Sequence, residues 1–145
     1  MTLWTAVRFL HVISAALWVG GQLTVSLVLL PIAKRSLPVS TRAQVLQGVG
    51  RRFGMFTGAF FLPVQIGTGI ALAVHKGVTW ESLAHPGYGR ILAAKLLLFC
   101  AVMIAATLHG WANRHHRTSF ARSMAIASLV GSVGIVLLAT ALPAT

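Results

Sequence analysis

A histidine inside a stretch that otherwise belongs in lipid is the first chemical feature of this chain. In RFLHVISAALWVGGQL, residues 8–23, His11 stands among leucine, valine, isoleucine and alanine. His11, Ser14, Ala15, Trp18 and Gln22 recur at helical intervals of three and four, so they share one polar and aromatic face about three turns long. An imidazole on that face is either a nitrogen donor to a metal or cofactor, or a polar side chain hydrogen-bonded to a neighbouring helix. A second series, Lys95, Val102 and His109, recurs every seven residues, with its ends ~21 Å apart along a helix axis at 1.5 Å per residue. Its two polar ends therefore serve different depths. Acid chemistry is nearly closed to this protein, because Glu81 is its one carboxylate side chain. Paired-carboxylate hydrolysis and a Ser-His-Asp triad both lack their acids, and no glycine-rich phosphate loop follows a strand.

The elements that must position these groups are membrane spans. Only 9% of the 145 residues are charged and 57% are hydrophobic, where a soluble domain carries roughly 25% charged residues. Four apolar segments, approximately 4–33, 53–75, 89–112 and 120–142, each reach the ~20 residues needed to cross a bilayer core. KRSLPVSTRAQVLQGVGRR, KGVTWESLAHPGYGR and NRHHRTS read as the connections, since they hold the Pro, Gly, Ser and charged residues. The expected fold is an all-α integral membrane protein, a single four-transmembrane-helix bundle over residues 1–145. The apolar run after Arg8 is too long for a signal-peptide core and is read as a helix.

The net charge of +11 is read as topological and not as a nucleic-acid surface. Lys34, Arg35, Arg42, Arg51, Arg52, Arg114, Arg117 and Arg122 fall on one face, and Arg8, Lys76, Arg90 and Lys95 on the other. Cationic loops stay on the cytoplasmic side, which puts both termini outside, in a bacterial inner membrane. Trp4, Phe53, Trp80 and Trp111 near helix ends fit interfacial belts. Small residues mark close helix contacts: Gly20 and Gly21, Gly54 and Gly58, Gly67 and Gly69, and Ser128, Gly131, Ser132 and Gly134. Pro63 is expected to kink the second span, with Gln65 and Thr68 satisfying freed carbonyls. Cys100, alone in KLLLFCAVM, cannot form an intramolecular disulfide and reads as a small buried hydrophobe.

Depth sorts the polar residues into two clusters. With helices one and three running the same way, His11 and Lys95 lie towards the outer face, with His75 and His85 on that side. His109, His115 and His116 belong to the cytoplasmic side, near Met55 and Met124. His75, His85 and the NRHHR tract also read as solvated residues at the interface.

Three stretches, LHVISAALWVGG, RRFGMFTGAFFLPVQIGTGIALA and YGRILAAKLLLFCAVMIAATLHGWANR, resemble the CopD-like (copper-resistance protein D) membrane domain. The outline of a first-helix LH, a third-helix AKLLL and a following HG is also similar to the HemJ-type four-helix haem b proteins. The resemblance implies a four-helix bundle with functional roles for His11 and Lys95, and activities from copper handling to haem-dependent redox.

Haem b in a helical bundle requires an axial donor, small residues beside the macrocycle, and cations for its propionates. His11 offers the donor with Trp18 on the same face, His75 a second ligand to the iron, and Lys95 with Arg90 or Arg8 the cations. Gly20, Gly21, Gly67 and Gly69 offer the space. Copper requires converging imidazole or sulfur donors, and the chain has no CxxC, MxxM or HxH. The expectation is a haem b protein moving electrons within the membrane to a redox partner. Copper transport or resistance is the first alternative, and an accessory subunit of a larger respiratory or photosynthetic complex the second. The lipid bilayer is the one partner every reading shares.

Overall fold

The computed structural model describes residues 2–142. Four helices in it are long and apolar enough to cross a membrane: α1 (Leu3–Ser36), α2 (Val39–His75), α3 (Tyr88–Arg114) and α4 (Thr118–Ala141). Among the described residues there is no strand. The chain divides into two compact units, Met1–Gly77 and Val78–Thr145. Each is built on one antiparallel helical hairpin.

In the first unit, α1 starts at Thr2, whose side chain accepts the Thr5 N–H and satisfies one of the free donors of the first turn. Both helices of this hairpin widen into a π-helical turn two residues before a proline. Val25–Leu29 precedes Pro31 and Thr57–Phe61 precedes Pro63. Proline has no N–H to give and clashes with the carbonyl four residues back. The wide turn shifts the register by one residue, so that Leu30 N–H meets the Val25 carbonyl and Leu62 N–H the Thr57 carbonyl. The helix thus runs through each proline.

The connection between α1 and α2 is much shorter than the sequence suggests. KRSLPVSTRAQVLQGVGRR reads as a loop, yet only Leu37 and Pro38 leave the helix, and α2 is continuous from Val39. Polar composition misleads here because a helix with most of its side chains exposed to solvent needs few apolar ones. Pro38, in extended backbone, sets the turn, and the Arg42 guanidinium donates to the carbonyls of Lys34 and Leu37 at 3.3 and 3.2 Å. A cation on the last carbonyls of α1 also suits the negative end of its dipole.

The second unit follows a turn closed by Gly77, at a φ of 68° that favours glycine. A short 3₁₀ segment, Ser82–Ala84, lies against the first turn of α3, where a Cβ on Gly89 would strike the Ser82 carbonyl. α3 and α4 then pack through small residues. A Cβ on Gly131 would strike Val102, and one on Gly134 would crowd Leu98. Ser128 and Ser132 are buried, with the Ser132 hydroxyl donating to the Ser128 carbonyl. Gly20, Gly54, Gly58 and Gly67, by contrast, have nothing within 4 Å of an added Cβ. Within the first unit, contact glycines are thus fewer than the sequence implied.

Small and polar residues are buried beside Trp18, Phe61 and Val102, and many large apolar side chains are exposed. Ser14, Gln65, Ser128 and Ser132 are buried, while Ile70, Leu97, Ile104, Val130 and Leu137 are exposed. Helices that cross lipid are drawn together by no hydrophobic effect and meet through small and polar residues with branched apolar ones outward, and this pattern fits helices of spanning length. Cys100 follows the same logic and is exposed, not buried.

Candidate functional site

The polar face of α1 meets α2 through a chain of hydrogen bonds around His11. Its Nδ1 lies 2.8 Å from Thr68 Oγ1 and its Nε2 lies 3.1 Å from Gln65 Nε2. The Ser14 hydroxyl is 2.7 Å from Gln65 Oε1 and 3.0 Å from the His11 carbonyl. The single hydroxyl hydrogen of Thr68 goes to the Val64 carbonyl, so Thr68 accepts from His11. That fixes the proton on Nδ1 and leaves the lone pair on Nε2, which accepts from the Gln65 amide. Gln65 Oε1 in turn accepts from Ser14.

Packing holds this arrangement from two sides. Trp18, 2% exposed, donates from Nε1 to Thr57 Oγ1 at 3.1 Å and stacks on Phe61, with ring centroids 4.7 Å apart. Thr57 is the first residue of the π-turn in α2, so the turn that accommodates Pro63 also presents the acceptor for Trp18. Gly69 lies under the imidazole, where an added Cβ would come within 3.4 Å of His11 Cε1. Further along, Gly21 is packed by the Phe53 ring.

The remaining predicted site residues make other contacts. His75 is exposed at the end of α2 and stacks on Trp4, with centroids 3.7 Å apart and planes 15° from parallel. It stands seven residues beyond Thr68, the partner of His11, a rise of ~10 Å along α2. The two histidines therefore have separate partners two turns apart, and the structure does not bring them to one point. Arg90 and Lys95 belong to the second unit. Arg90 is exposed and its Nε donates to the Ala84 carbonyl at 3.4 Å, while Lys95 is half-buried on α3.

A second histidine network spans α3 and α4. His109 Nδ1 lies 2.8 Å from the Ala121 carbonyl, and a carbonyl only accepts, so the proton is on Nδ1 and Nε2 takes the Asn113 amide at 3.1 Å. Nearby, His115 Nδ1 donates to the Trp111 carbonyl at 2.9 Å, and Arg117 lies over the Trp111 ring, 5.5 Å from its centroid. Both His11 and His109 thus donate from Nδ1 and accept an amide N–H at Nε2. Among the described residues no three His, Cys, Asp or Glu side chains gather into a group able to hold a metal ion.

The sequence pattern singles out His11, Ser14 and Trp18 but assigns Gln65 and Thr68 only to repair of the proline break. Thr68 donates instead to the Val64 carbonyl, which follows the proline and is not one that it frees, and both residues receive the α1 network. Thr57 gave no sequence signal beyond its hydroxyl. No family model and no solved structure matches the chain. An uncharacterized protein of Aquifex aeolicus strain VF5 is 33% identical to it over 107 residues, which are 73% of this chain and 68% of that protein. The chain therefore belongs to the same family as this Aquifex protein.

Proposed function

We propose that the protein is an integral membrane four-helix bundle that binds haem b through His11 and passes electrons within the membrane. One observation carries this reading: the His11 ring is oriented by a hydrogen bond from Nδ1 to Thr68, which leaves Nε2 as the basic nitrogen. Ligating histidines are held in this way, with the distal N–H tied to a fixed acceptor that sets tautomer and ring angle. The donor set fits an axial ligand once the Gln65 amide, which now donates to Nε2, gives up that nitrogen.

His11 would hold the iron, and haem b bound there would supply a one-electron redox centre. The residues of the chain do the rest. Thr68 retains the proton at Nδ1 and stops the ring from rotating. Gln65 occupies Nε2 with an exchangeable amide N–H, while Ser14 holds Gln65 from its other end. Gly69 leaves the edge of the imidazole uncovered by any side chain of its own. The buried Trp18–Phe61 stack closes the α1–α2 contact one turn beyond Ser14 and Gln65.

The test is an absorption spectrum of the purified protein, oxidised and dithionite-reduced, after expression with haem supplied. A low-spin haem spectrum is expected, lost in His11→Ala and retained in His75→Ala, with both variants still in the membrane fraction. A colourless wild-type protein that binds Cu(I) stoichiometrically would replace this reading with the copper one. Loss of the spectrum in both variants would place the iron elsewhere than at His11 alone.

A further inference from the structure

We propose that the end of the α1–α2 hairpin nearest the Leu37–Pro38 turn is a docking surface for anionic lipid headgroups, lying in the bilayer interface and not standing out in water. The proposal rests on reading the apolar helices as bilayer spans. Its starting point is length. α2 has 37 residues, ~55 Å at 1.5 Å per residue, against a bilayer core of ~30 Å. Phe53 to His75 alone covers ~34 Å. The stretch from Val39 to Arg52 is therefore surplus to the span, and so is the part of α1 beyond Gly21, which packs on Phe53.

The character of this surplus is mixed in a particular way. Leu27, Val28 and Ile32 of α1 and Val39 and Val45 of α2 are exposed, at 67, 51, 56, 74 and 38%. Lys34, Arg35, Arg51 and Arg52 are exposed among them, and no acid lies in the first unit, since Glu81 is beyond it. Arg42 is the one cation here committed to the fold, through the carbonyls of Lys34 and Leu37. Hydrocarbon rejects the cations and water gains nothing from the apolar side chains. The interface takes both, with valine and isoleucine sunk below the headgroups and lysine and arginine among the phosphates. The π-turn at Val25–Leu29, followed by Pro31, lies where α1 reaches this zone.

The full chain with Cys100→Ala and a single spin label at Val45→Cys tests this in vesicles of phosphatidylcholine, alone or mixed with phosphatidylglycerol. With phosphatidylglycerol the label should be accessible to oxygen and shielded from a water-soluble nickel chelate. In phosphatidylcholine alone it should be open to nickel. Combining Lys34→Gln, Arg35→Gln, Arg51→Gln and Arg52→Gln should abolish the difference, leaving the label open to nickel in both. A Val45 label open to nickel in phosphatidylglycerol, or shielded from both reagents, overturns the proposal, the latter by showing that protein covers the face. Shielding that survives the four substitutions overturns it as well, because headgroup charge is then not what holds the segment down. A label at Leu97→Cys, exposed on α3, reports the spans separately: oxygen access there in every sample, including the substituted chain, keeps the bilayer reading whatever Val45 shows. Nickel access at Leu97 removes that reading and this proposal with it.

Discussion

Thr68 does two jobs with one oxygen, accepting from His11 and donating to the Val64 carbonyl. Replacing it by valine keeps the volume and removes both bonds. Interhelical hydrogen bonds in membrane proteins average ~0.6 kcal/mol and reach ~1.7 kcal/mol, so Thr68→Val should cost about that much in unfolding from mixed micelles. Thr140→Val, whose hydroxyl serves only the Leu137 carbonyl within its own helix, should stay within about 0.5 kcal/mol of wild type. The α1 half of the site is legible in the sequence, because helical spacing alone places His11, Ser14 and Trp18 on one face. The α2 half is not. Which residues of α2 face them depends on where the hairpin turns, and that was hidden by a polar segment that is helical from Val39. His75 illustrates the same limit: it lies on the expected helix, yet its level on α2 matches Trp4 and not His11.

At the level of helix pairs, contact is decided by a few glycines. Gly131 faces Val102, a β-branched side chain stiff at χ1 that cannot swing aside. Gly131→Ala should therefore cost ~1–3 kcal/mol, as overpacking does, and Val102→Ala in the same chain should restore part of the loss in a double-mutant cycle. Gly20→Ala meets nothing within 4 Å and should be neutral or raise stability by up to ~1 kcal/mol through helix propensity. Spacing shows which glycines share a face; it does not show which face meets a neighbour. The prolines are a similar case. Pro31 and Pro63 were visible as breaks, but the π-turns that carry the helix through them are a collective adjustment of backbone bonds, without a residue signature of their own.

For the molecule as a whole, the number of long apolar helices follows from composition and window length, and the structure has the four that were expected. Orientation in a membrane follows from the distribution of lysine and arginine. A reporter fused after Thr145 should read as extracytoplasmic, and moving the excess charge by Arg51→Gln, Arg52→Gln and Arg114→Gln should weaken that preference in the same assay. A cytoplasmic signal from the unaltered fusion would reverse the sidedness assigned to His11.

The division of the chain after Gly77 bears on how it is made. Each unit is a hairpin that closes its own histidine network, His11 with Gln65 and Thr68 in one, His109 with Asn113 and the Ala121 carbonyl in the other. A nascent chain released into lipid after its first hairpin leaves that network without unmet donors, so the first half need not wait for the second to be synthesised. Produced as separate polypeptides, residues 1–77 and 78–145 should each remain with the membrane after alkaline carbonate extraction. In the first fragment, changing His11 and Gln65 together to leucine should not alter that partition, because the Ser14 and Thr68 hydroxyls keep the His11 and Val64 carbonyls and no donor is stranded.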